Sequence, residues 1–419
     1  MKGIIKLFIV IIVALAIIIS PVWLKTRTLK IRNATLEVSS IETVKAINNQ
    51  FKMVEVNKPN ISLTRGIFFD PYNEYLNYLH FSEDQQNWLL TIASLDGRMV
   101  RTIDLGAHKL SYSGRGKICF DKNIIYVGVD EMIIFIRRND YSVEKIQLPS
   151  RKYDIKSDLL PNRYTSDSSI IDIEKAGKYI AISRNNANGI LLFDLDRRKF
   201  DEWKLPEEFG SVNKLIKFSD DILFVTNFYS GKGGYLIQDQ FGKLNLATRE
   251  FDVFSQPVQK LFVVENSVWG VDIKGNLFVL DNELKHIKIY NFGVFIVSGA
   301  VPSNGKIWFV GSDVNSIDGK PLLSTVSDDP PTDALEVINL KTDKQILFIG
   351  YFDPIKEDLE KSYLPISKPR PVIGIHSPDI NLDKINSEFK SSITIPTGII
   401  DAETHGVFLF VDKVLQINR

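Results

Sequence analysis

Five histidines are the first residues to test for chemistry, because imidazole is a common metal ligand and a general base near neutral pH. No two histidines stand at His-x-x-x-His spacing, so the sequence has no local pair of histidine ligands for a metal. The single Cys119 excludes an intrachain disulfide and a multi-cysteine metal site. Ligands that converge from distant segments would leave no such pattern, but nothing here predicts a metal or a cofactor. The histidines are His80, His108, His286, His376 and His405.

Two glycine-containing segments resemble ligand-binding loops only in outline. DVNSIDGK at 313–320 spaces oxygen ligands as a calcium loop does, but Ile317 occupies the third ligand position and the glycine comes one residue late. SGKGG at 230–234 lacks the spacer and the Ser or Thr of a phosphate-binding loop. No Gly-x-Ser-x-Gly nucleophile motif is present. We therefore interpret both segments as surface turns, and no catalytic residue is predicted.

The spacing of apolar residues indicates which elements must position any site. Beyond the N-terminus, apolar runs of four to eight residues are rich in Val, Ile, Phe, Tyr and Trp and are bounded by Gly, Asn, Asp and Pro. This pattern is typical of β-strands. Residues 267–292, SVWGVDIKGNLFVLDNELKHIKIYNF, show it as three short strands joined by two turns.

The same three-strand pattern recurs along the chain, and an apolar segment precedes each copy. We label the four strands of a unit A to D. In the sixth unit, KIWFVGSD is taken as strand B, ALEVINLKTDK as strand C and QILFIGYF as strand D. Units of four antiparallel strands, about 40–60 residues apart, are typical of a β-propeller. Strands B to D of the clearest copies lie within 75–107, 124–149, 178–206, 221–257 and 306–352.

Over residues 50–419 this pattern resembles the bacterial superfamily of seven-bladed propellers that contains the YVTN-repeat and quinoprotein-like domains. The resemblance is one of pattern, because the chain has no Gly-His…Trp-Asp repeat, no Asp-box series and no tryptophan-docking motif set. It implies an all-β propeller fold. It assigns no catalytic residue.

Counting units predicts seven blades, with six or eight as alternatives. Six complete units run from about residue 62 to 352, and the C-terminus supplies strands A to C of a seventh. QFKMVEVN, at 50–57, has no partner of its own. Because an unpaired sheet edge is normally avoided, we expect it to pair with KVLQINR at 413–419 and close the ring.

The N-terminus has the composition of a membrane segment. Leu7 to Leu24 contain no charge, follow Lys2 and Lys6, and are just long enough to cross the hydrocarbon core. We predict a single transmembrane helix within 1–24, with a cleaved signal peptide or a buried helix as alternatives. A short basic start before an apolar run favours an extracytoplasmic domain, although four basic residues after the run oppose that orientation.

Residues 25–49 are interpreted as a juxtamembrane linker between the anchor and a propeller domain of residues 50–419. Within the linker, Ile41, Val44 and Ile47 stand three residues apart, which favours a short amphipathic helix. Such a helix would shorten the tether and turn the face formed by the short A–B and C–D turns toward the membrane.

Four long irregular segments predict where a partner binds. In an antiparallel unit the B–C and D-to-A connections share one face, and 150–163, 227–234, 312–333 and 353–392 are all connections of these two kinds. Long loops on a rigid scaffold are frequent binding sites. The candidate binding residues are Tyr153, Tyr229, Lys232, Asp313, Asp328 and Asp329.

The expected function is that of a single-pass, membrane-tethered binding module that presents this loop-bearing face to a protein, peptide or glycan. The alternative is a propeller enzyme, a hydrolase or quinone-dependent oxidoreductase, with residues converging at one channel mouth. An enzyme should place several charged residues on the A strands, whereas those strands read as mainly apolar or singly charged. Equal numbers of basic and acidic residues, 51 of each, argue against nucleic acid as a partner.

Overall fold

Short strands account for all the regular secondary structure that the computed structural model describes, and these residues contain no helix. Within the described residues, therefore, no helix is long and apolar enough to cross a membrane. The predicted anchor, residues 1–24, lies outside them. The described residues are 25–28, 30–56, 59, 61, 64–108, 116–149, 169–184, 187, 189–205, 211–227, 240–254, 258–264, 266–272, 275–293, 295–303, 305–312, 316–317, 320–321, 336–338, 347–363, 372–374, 398–401, 407–410 and 414–417.

Five strands come before the repeated part of the chain: β1 (Lys25–Thr28), β2 (Lys30–Ala34), β3 (Glu37–Thr43), β4 (Ala46–Asn48) and β5 (Met53–Val56). Sheet 1 then contains β6 (Thr64–Asp70), β7 (Tyr75–Phe81), β8 (Asn87–Ser94) and β9 (Met99–Ala107). Sheet 2 contains β10 (Gly116–Phe120), β11 (Ile124–Val129), β12 (Met132–Arg137) and β13 (Val143–Gln147). Sheet 3 is built on β14 (Ile170–Ala176), β15 (Tyr179–Arg184), β16 (Gly189–Asp194) and β17 (Lys199–Lys204).

Sheet 4 is built on β18 (Ser211–Phe218), β19 (Asp221–Asn227), β20 (Gln240–Leu244) and β21 (Glu250–Phe254). Sheet 5 has β22 (Val258–Val264), β23 (Ser267–Asp272), β24 (Leu277–Leu280) and β25 (His286–Asn291), which confirms the three strands predicted at 267–292. The next strands are β26 (Phe295–Ser303), β27 (Lys306–Ser312), β28 (Ser316–Ile317), β29 (Lys320–Pro321), β30 (Glu336–Ile338), β31 (Leu347–Asp353), β32 (Asp358–Tyr363) and β33 (Val372–Gly374). Sheet 6 combines β26, β27, β31 and β32, and sheet 7 combines β34 (Gly398–Asp401), β35 (Val407–Phe410), β36 (Val414–Ile417) and β5.

The seven sheets form a closed cycle, which is the arrangement of a β-propeller. The first strand of each sheet contacts the first strand of the next, in the order β6, β10, β14, β18, β22, β26, β34 and back to β6. Apolar side chains fill the spaces between neighbouring sheets, as where Leu79 and Leu90 of sheet 1 pack on Val127 and Ile134 of sheet 2. Each sheet therefore buries its two faces against its neighbours.

The two ends of the propeller pair with each other, as the sequence predicted. β5 lies antiparallel to β36, with Met53 opposite Ile417 and Val56 opposite Val414. Strand β5 thus supplies the outer strand of sheet 7, and the expected closure is confirmed.

Residues 25–48 form a feature that we call the belt. Its strands β1 to β4 add in parallel, one after another, to the outer strands of sheets 3 to 6, namely β17, β21, β25 and β32. Sheets 3 to 6 therefore have five strands each. Among the described residues, sheets 1 and 2 end on β9 and β13 with no fifth strand.

The belt corrects the prediction of a linker with a short helix at 25–49. Val44 is 6% exposed and belongs to the core between sheets 5 and 6, whereas Ile41 and Ile47 are 64% and 52% exposed. The three-residue spacing is therefore not a helical face. Residues Glu37–Thr43 and Ala46–Asn48 are extended because the outer strands β25 and β32 offer them unpaired backbone groups.

Sheet 6 corrects a second prediction. QILFIGYF forms strand C, β31, rather than strand D, and strand D is the mostly polar DLEKSY of β32. This strand was missed because Leu359 is its only aliphatic residue. The segment assigned as strand C, ALEVINLKTDK, lies in the insertion between β27 and β31, where its residues Glu336–Ile338 form β30.

Candidate functional site

The six candidate binding residues, Tyr153, Tyr229, Lys232, Asp313, Asp328 and Asp329, lie outside the described residues. The strands that flank them are described, so the face from which each segment leaves is known. Their segments follow β13 in sheet 2, β19 in sheet 4 and β27 in sheet 6. Each of these strands ends on the face where B–C and D-to-A connections meet, which we call the insertion face.

Backbone pairing on the insertion face joins the two longest insertions. Strand β30, in the B–C insertion of sheet 6, pairs antiparallel with β33, in the connection from sheet 6 to sheet 7. Glu336 lies opposite Gly374, and Ile338 lies opposite Val372. Segments paired in this way cannot lie on opposite faces of the ring.

β33 belongs to the predicted segment 353–392, whereas β30 follows the predicted segment 312–333, so the pairing supports a shared face without testing 312–333 itself. The first part of 353–392 is not a D-to-A connection, because it contains the C–D turn of sheet 6 and the strand Asp358–Tyr363.

The opposite face, which we call the plain face, is built from short, similar turns. In the C–D turns of sheets 2, 3, 4 and 6, the residue four positions after the start has a positive φ, between 53° and 63°, and donates its N–H to the first carbonyl. An Asp or Asn in each turn accepts a second N–H two residues later. Such turns satisfy their own polar groups and leave little to bind a partner. The positive-φ residues are Tyr141, Arg198, Arg249 and Glu357.

A buried polar cluster joins sheets 1 and 2 near the insertion face. The indole Nε1 of Trp88 donates to Asp130 at 3.1 Å, and Nδ1 of His108 lies 3.3 Å from the same carboxylate. The rings of Phe81, Trp88 and His108 pack together at centroid distances of 4.3 to 5.2 Å. A His–Asp pair can orient a general base, but the part of this cluster that the structure describes contains no serine or cysteine, and its packing indicates a structural role.

Sheets 2 and 3 are joined by a second buried polar contact. Arg184 donates to Glu202 at 2.7 Å and to the carbonyl of Pro149 at 3.1 Å. Both side chains of the ion pair are almost fully buried. Glu202 lies on β17, directly opposite Thr26 of the belt.

The inner strands of sheets 3 and 4 carry more charge than the sequence suggested. Asp172 on β14 accepts from Lys214 Nζ at 3.0 Å and from the backbone N–H of Leu215 at 3.0 Å. The carboxylate thereby bridges β14 to β18. Lys175 reaches Asp121 in the neighbouring sheet at 3.1 Å. The expectation of mainly apolar or singly charged A strands is therefore wrong for β14.

Glu174 is the group on β14 that could exchange a proton near neutral pH. Burial, followed by the charge of Asp172, raises the pKa of Glu174 to about 7. The two carboxylates stand two residues apart on one strand, so they project to the same side. That i, i+2 spacing in IIDIEKA was the available sequence signal. Burial also raises the pKa of the nearby Cys119 thiol, which makes this cysteine a poor nucleophile.

A cleft of about 420 Å³ opens at the rim where the belt passes from sheet 4 to sheet 5. Its walls combine Glu37 and Asp252 with Lys243, Lys285 and His286. Charges of both signs are mixed, so no class of ligand is favoured. No group of three His, Cys, Asp or Glu side chains that could hold a metal occurs among the residues that the structure describes.

Comparisons with solved structures confirm the fold. The chain is similar to a structure described as YCF48 bound to D1 peptide, with 11% identity and a TM-score of 0.50, over 90% of this chain and 98% of that one. It is similar to the WD40 repeats of RRP9, with 7% identity and a TM-score of 0.51, over 87% and 96% of the two chains. It is also similar to U3-55K, with 7% identity and a TM-score of 0.50, over 88% and 98%. No protein-family model matches the chain, and no curated protein sequence resembles it.

Proposed function

We propose that this propeller is a membrane-tethered binding module whose insertion face engages a protein or peptide partner, or a glycan. The observation that carries the proposal is the pairing of β30 with β33, which gathers the two longest insertions on one face. On the plain face, the described C–D turns of sheets 2, 3, 4 and 6 satisfy their own polar groups. A rigid ring with one elaborated face is suited to recognition rather than to a mobile catalytic site.

The proposal takes the seven described sheets as the seven blades of the whole chain. The cycle of inner-strand contacts supports this count, because it returns from β34 to β6 without a gap. The pairing of β5 with β36 supports it as well, because it joins the two ends of the ring within one sheet.

For the partner class, the six residues Tyr153, Tyr229, Lys232, Asp313, Asp328 and Asp329 remain the proposed contacts. The description of YCF48 states that it is bound to a peptide. That statement concerns YCF48, and the shared fold makes peptide binding an example of what such a ring can do.

The membrane tether is proposed from the sequence of residues 7–24, which contains 18 uncharged residues. We propose an extracytoplasmic propeller. The basic residues after the apolar run, Lys25, Arg27, Lys30 and Arg32, belong to the strands β1 and β2 of a folded domain. Folded domains are translocated largely regardless of their charge, so these residues oppose export less than free loop residues would.

A second candidate function is enzymatic, and the observation that favours it is the raised pKa of Glu174 beside Asp172. A carboxyl group that titrates near pH 7 can act as a general acid or base. The ion pair of Asp172 with Lys214 gives the same cluster a structural role. A substrate-derived small molecule that co-purifies with the chain and is lost in Glu174→Gln would favour this candidate.

Site-specific crosslinking tests the binding module. A photoreactive residue is placed at Asp328 or Asp329 on the insertion side, and at Asp96 or Glu283 in turns of the plain face as matched controls. The full chain is crosslinked in its native membranes. We expect the same discrete adduct from the first pair and none from the second. Adducts from the plain-face positions alone would contradict the proposal.

A further inference from the structure

The outer edges of sheets 1 and 2 are open in a ring whose next four sheets are covered. Each belt strand adds in parallel to the fourth strand of its sheet, and consecutive belt strands are joined by only one or two residues. β9 and β13 are the fourth strands of neighbouring sheets, and neither has a fifth strand among the described residues. An extended segment can therefore cover β9 and β13 in succession, as the belt covers the sheets that follow.

Complementary charges accompany the strand pairs of the belt. Arg32 of β2 forms an ion pair with Glu250 of β21, the strand that β2 covers. The side-chain amide of Asn49, directly after β4, donates to the carboxylate of Glu360 on β32 at 2.7 Å. Acidic residues on these two covered edges thus receive a cation or a hydrogen-bond donor from the segment that covers them.

The open edges of sheets 1 and 2 present basic residues to each other. Ile103 of β9 is buried between the two sheets, and Arg101, two residues earlier on the strand, projects to the same side. The guanidinium of Arg101 lies over the ring of Tyr141 of sheet 2, 4.8 Å from its centroid. Lys145 of β13 reaches back, and its Nζ lies against Gly106 of β9. We call this strip between β9 and β13 the open rim.

Neither cation of the open rim is neutralised by the part of the chain that the structure describes. Arg101 and Lys145 are exposed, and they form no ion pair with a described acidic side chain. Glu144 pairs with Arg198 of sheet 3, and Asp104 accepts hydrogen bonds within sheet 1. Charge on an edge strand excludes most other strands, but it selects for a strand of the opposite charge.

We propose that the open rim binds an acidic, extended segment of a partner protein, which adds in parallel first to β9 and then to β13. Each of its two strands carries one Asp or Glu, beside Arg101 or Lys145, and the second strand places an apolar residue on the exposed Val143. Its strands are of four or five residues, because β9 pairs regularly with β8 over residues 101–104 and β13 has five residues. The open rim is separate from the insertion face, so its occupancy does not depend on the contacts proposed there.

A charge-swap experiment with synthetic peptides tests the open rim of the full chain in detergent micelles. The probe is a fluorescein-labelled peptide of two Val- and Thr-rich strands joined by Gly-Ser, with one Glu in each strand, and the control peptide has Lys in place of both Glu. The test variant combines Arg101→Glu with Lys145→Glu. The matched control variant combines Lys199→Glu with Lys204→Glu, which makes the same change of charge on β17, whose edge the belt covers.

We expect the Glu peptide to bind the wild type about tenfold more tightly than the Lys peptide, measured by fluorescence anisotropy, because two cross-strand charge pairs are favourable instead of repulsive. The test variant should reverse this preference, and the control variant should keep it. Hydrogen exchange should slow in β9 and β13 when the Glu peptide binds, and stay the same in β17, β21, β25 and β32.

Equal affinity for the two peptides, or binding of neither, would overturn the proposed partner. Protection in segments other than β9 and β13 would place the peptide elsewhere and overturn it as well. If successive amides of β9 and β13 are already protected before peptide is added, another part of the chain or a second copy covers these edges, and the open rim is not free for a partner. None of these results changes the crosslinking expected from the insertion face.

Discussion

Sheets 3 to 6 differ from sheets 1 and 2 in what protects their outer edges. Every sheet of a propeller ends in an outer strand whose backbone groups could pair with another chain. In sheets 3 to 6 the belt covers that edge. In sheets 1 and 2 the edge strands β9 and β13 have no fifth strand among the described residues, and they leave Met99, Val100 and Val143 60%, 43% and 37% exposed.

The edge strands of sheets 1 and 2 carry charged residues instead. Arg98 and Arg101 flank the exposed apolar pair of β9, and Glu144 and Lys145 follow Val143 on β13. Charged side chains on an edge strand disfavour pairing with another molecule. In sheets 3 and 4 the outermost strands are β1 and β2 of the belt, and these strands are also charged, because they carry four basic residues. The N-terminal segment 25–48 is therefore part of the propeller, and it stabilises four of the seven described sheets.

The largest expected effect comes from opening the ring. Removing residues 412–419 from a chain of residues 25–419 takes away β36 and leaves β5 without its partner. We expect the free energy of unfolding to fall by several kcal/mol, measured by urea denaturation. An unchanged denaturation midpoint would show that the pairing of the two ends does not hold the ring closed.

Removing the belt should have a smaller effect that is confined to one side of the molecule. A chain of residues 49–419 loses the buried Val44 and the strand pairs along sheets 3 to 6. We expect a loss of at least about 2 kcal/mol, which is the contribution of burying one valine. Hydrogen exchange should accelerate in β17, β21, β25 and β32 and stay the same in β9 and β13. Equal acceleration in all sheets would contradict a local role for the belt.

Two arginines of sheet 3 form ion pairs, one of which is buried and the other exposed. Arg184→Ala leaves Glu202 charged and buried beneath the belt, so we expect a loss of about 3–5 kcal/mol. Arg198→Ala removes an exposed pair with Glu144, and we expect a loss of about 0–1 kcal/mol. Urea denaturation of both variants measures the difference. A cost of several kcal/mol for Arg198→Ala would mean that this exposed pair stabilises the protein more than its solvent exposure predicts.

The raised pKa of Glu174 should make the free energy of unfolding depend on pH. Because its pKa is raised to about 7 in the folded protein, the neutral form is favoured there, and the unfolded chain releases its proton near pH 4.5. The stabilising contribution is complete below pH 4.5 and is lost as pH rises through 7. The free energy of unfolding of Glu174→Gln, relative to that of the wild type, should therefore rise by about 2–3 kcal/mol between pH 4.5 and pH 8. A constant difference across this range would show that Glu174 titrates normally.

The sequence predicted those parts of the fold that depend on local patterns. Alternating apolar residues and turn residues located the strands of sheet 5, and the unpaired QFKMVEVN correctly identified the partner of β36. The belt escaped prediction because parallel pairing with distant strands leaves no local period, and Ile41, Val44 and Ile47 imitated a helical spacing. β32 was not predicted because, in an outer and mostly polar strand, apolar and polar residues hardly alternate. Apolar periodicity thus reports burial within a sheet and says little about its outermost strand.

The candidate site was predicted less completely for a related reason. Strand direction decides which connections share a face, so a common face for the B–C and D-to-A connections followed from counting strands. The pairing of β30 with β33 was not predicted, because Glu336–Ile338 was assigned to strand C of sheet 6. The Asp172–Lys214 bridge depends on how two sheets approach each other, and no spacing within either strand specifies that distance.

Residue-resolved hydrogen exchange on the chain of residues 25–419 tests the belt most directly. A strand paired on both sides has every backbone N–H bonded, whereas an edge strand has every second N–H free. We therefore predict protection at successive amides of β25 and at only alternate amides of β9, with alternate amides of β3 protected as well. Full exchange of β3 at the rate of an unfolded chain, together with alternation in β25, would show that β3 does not pair with β25.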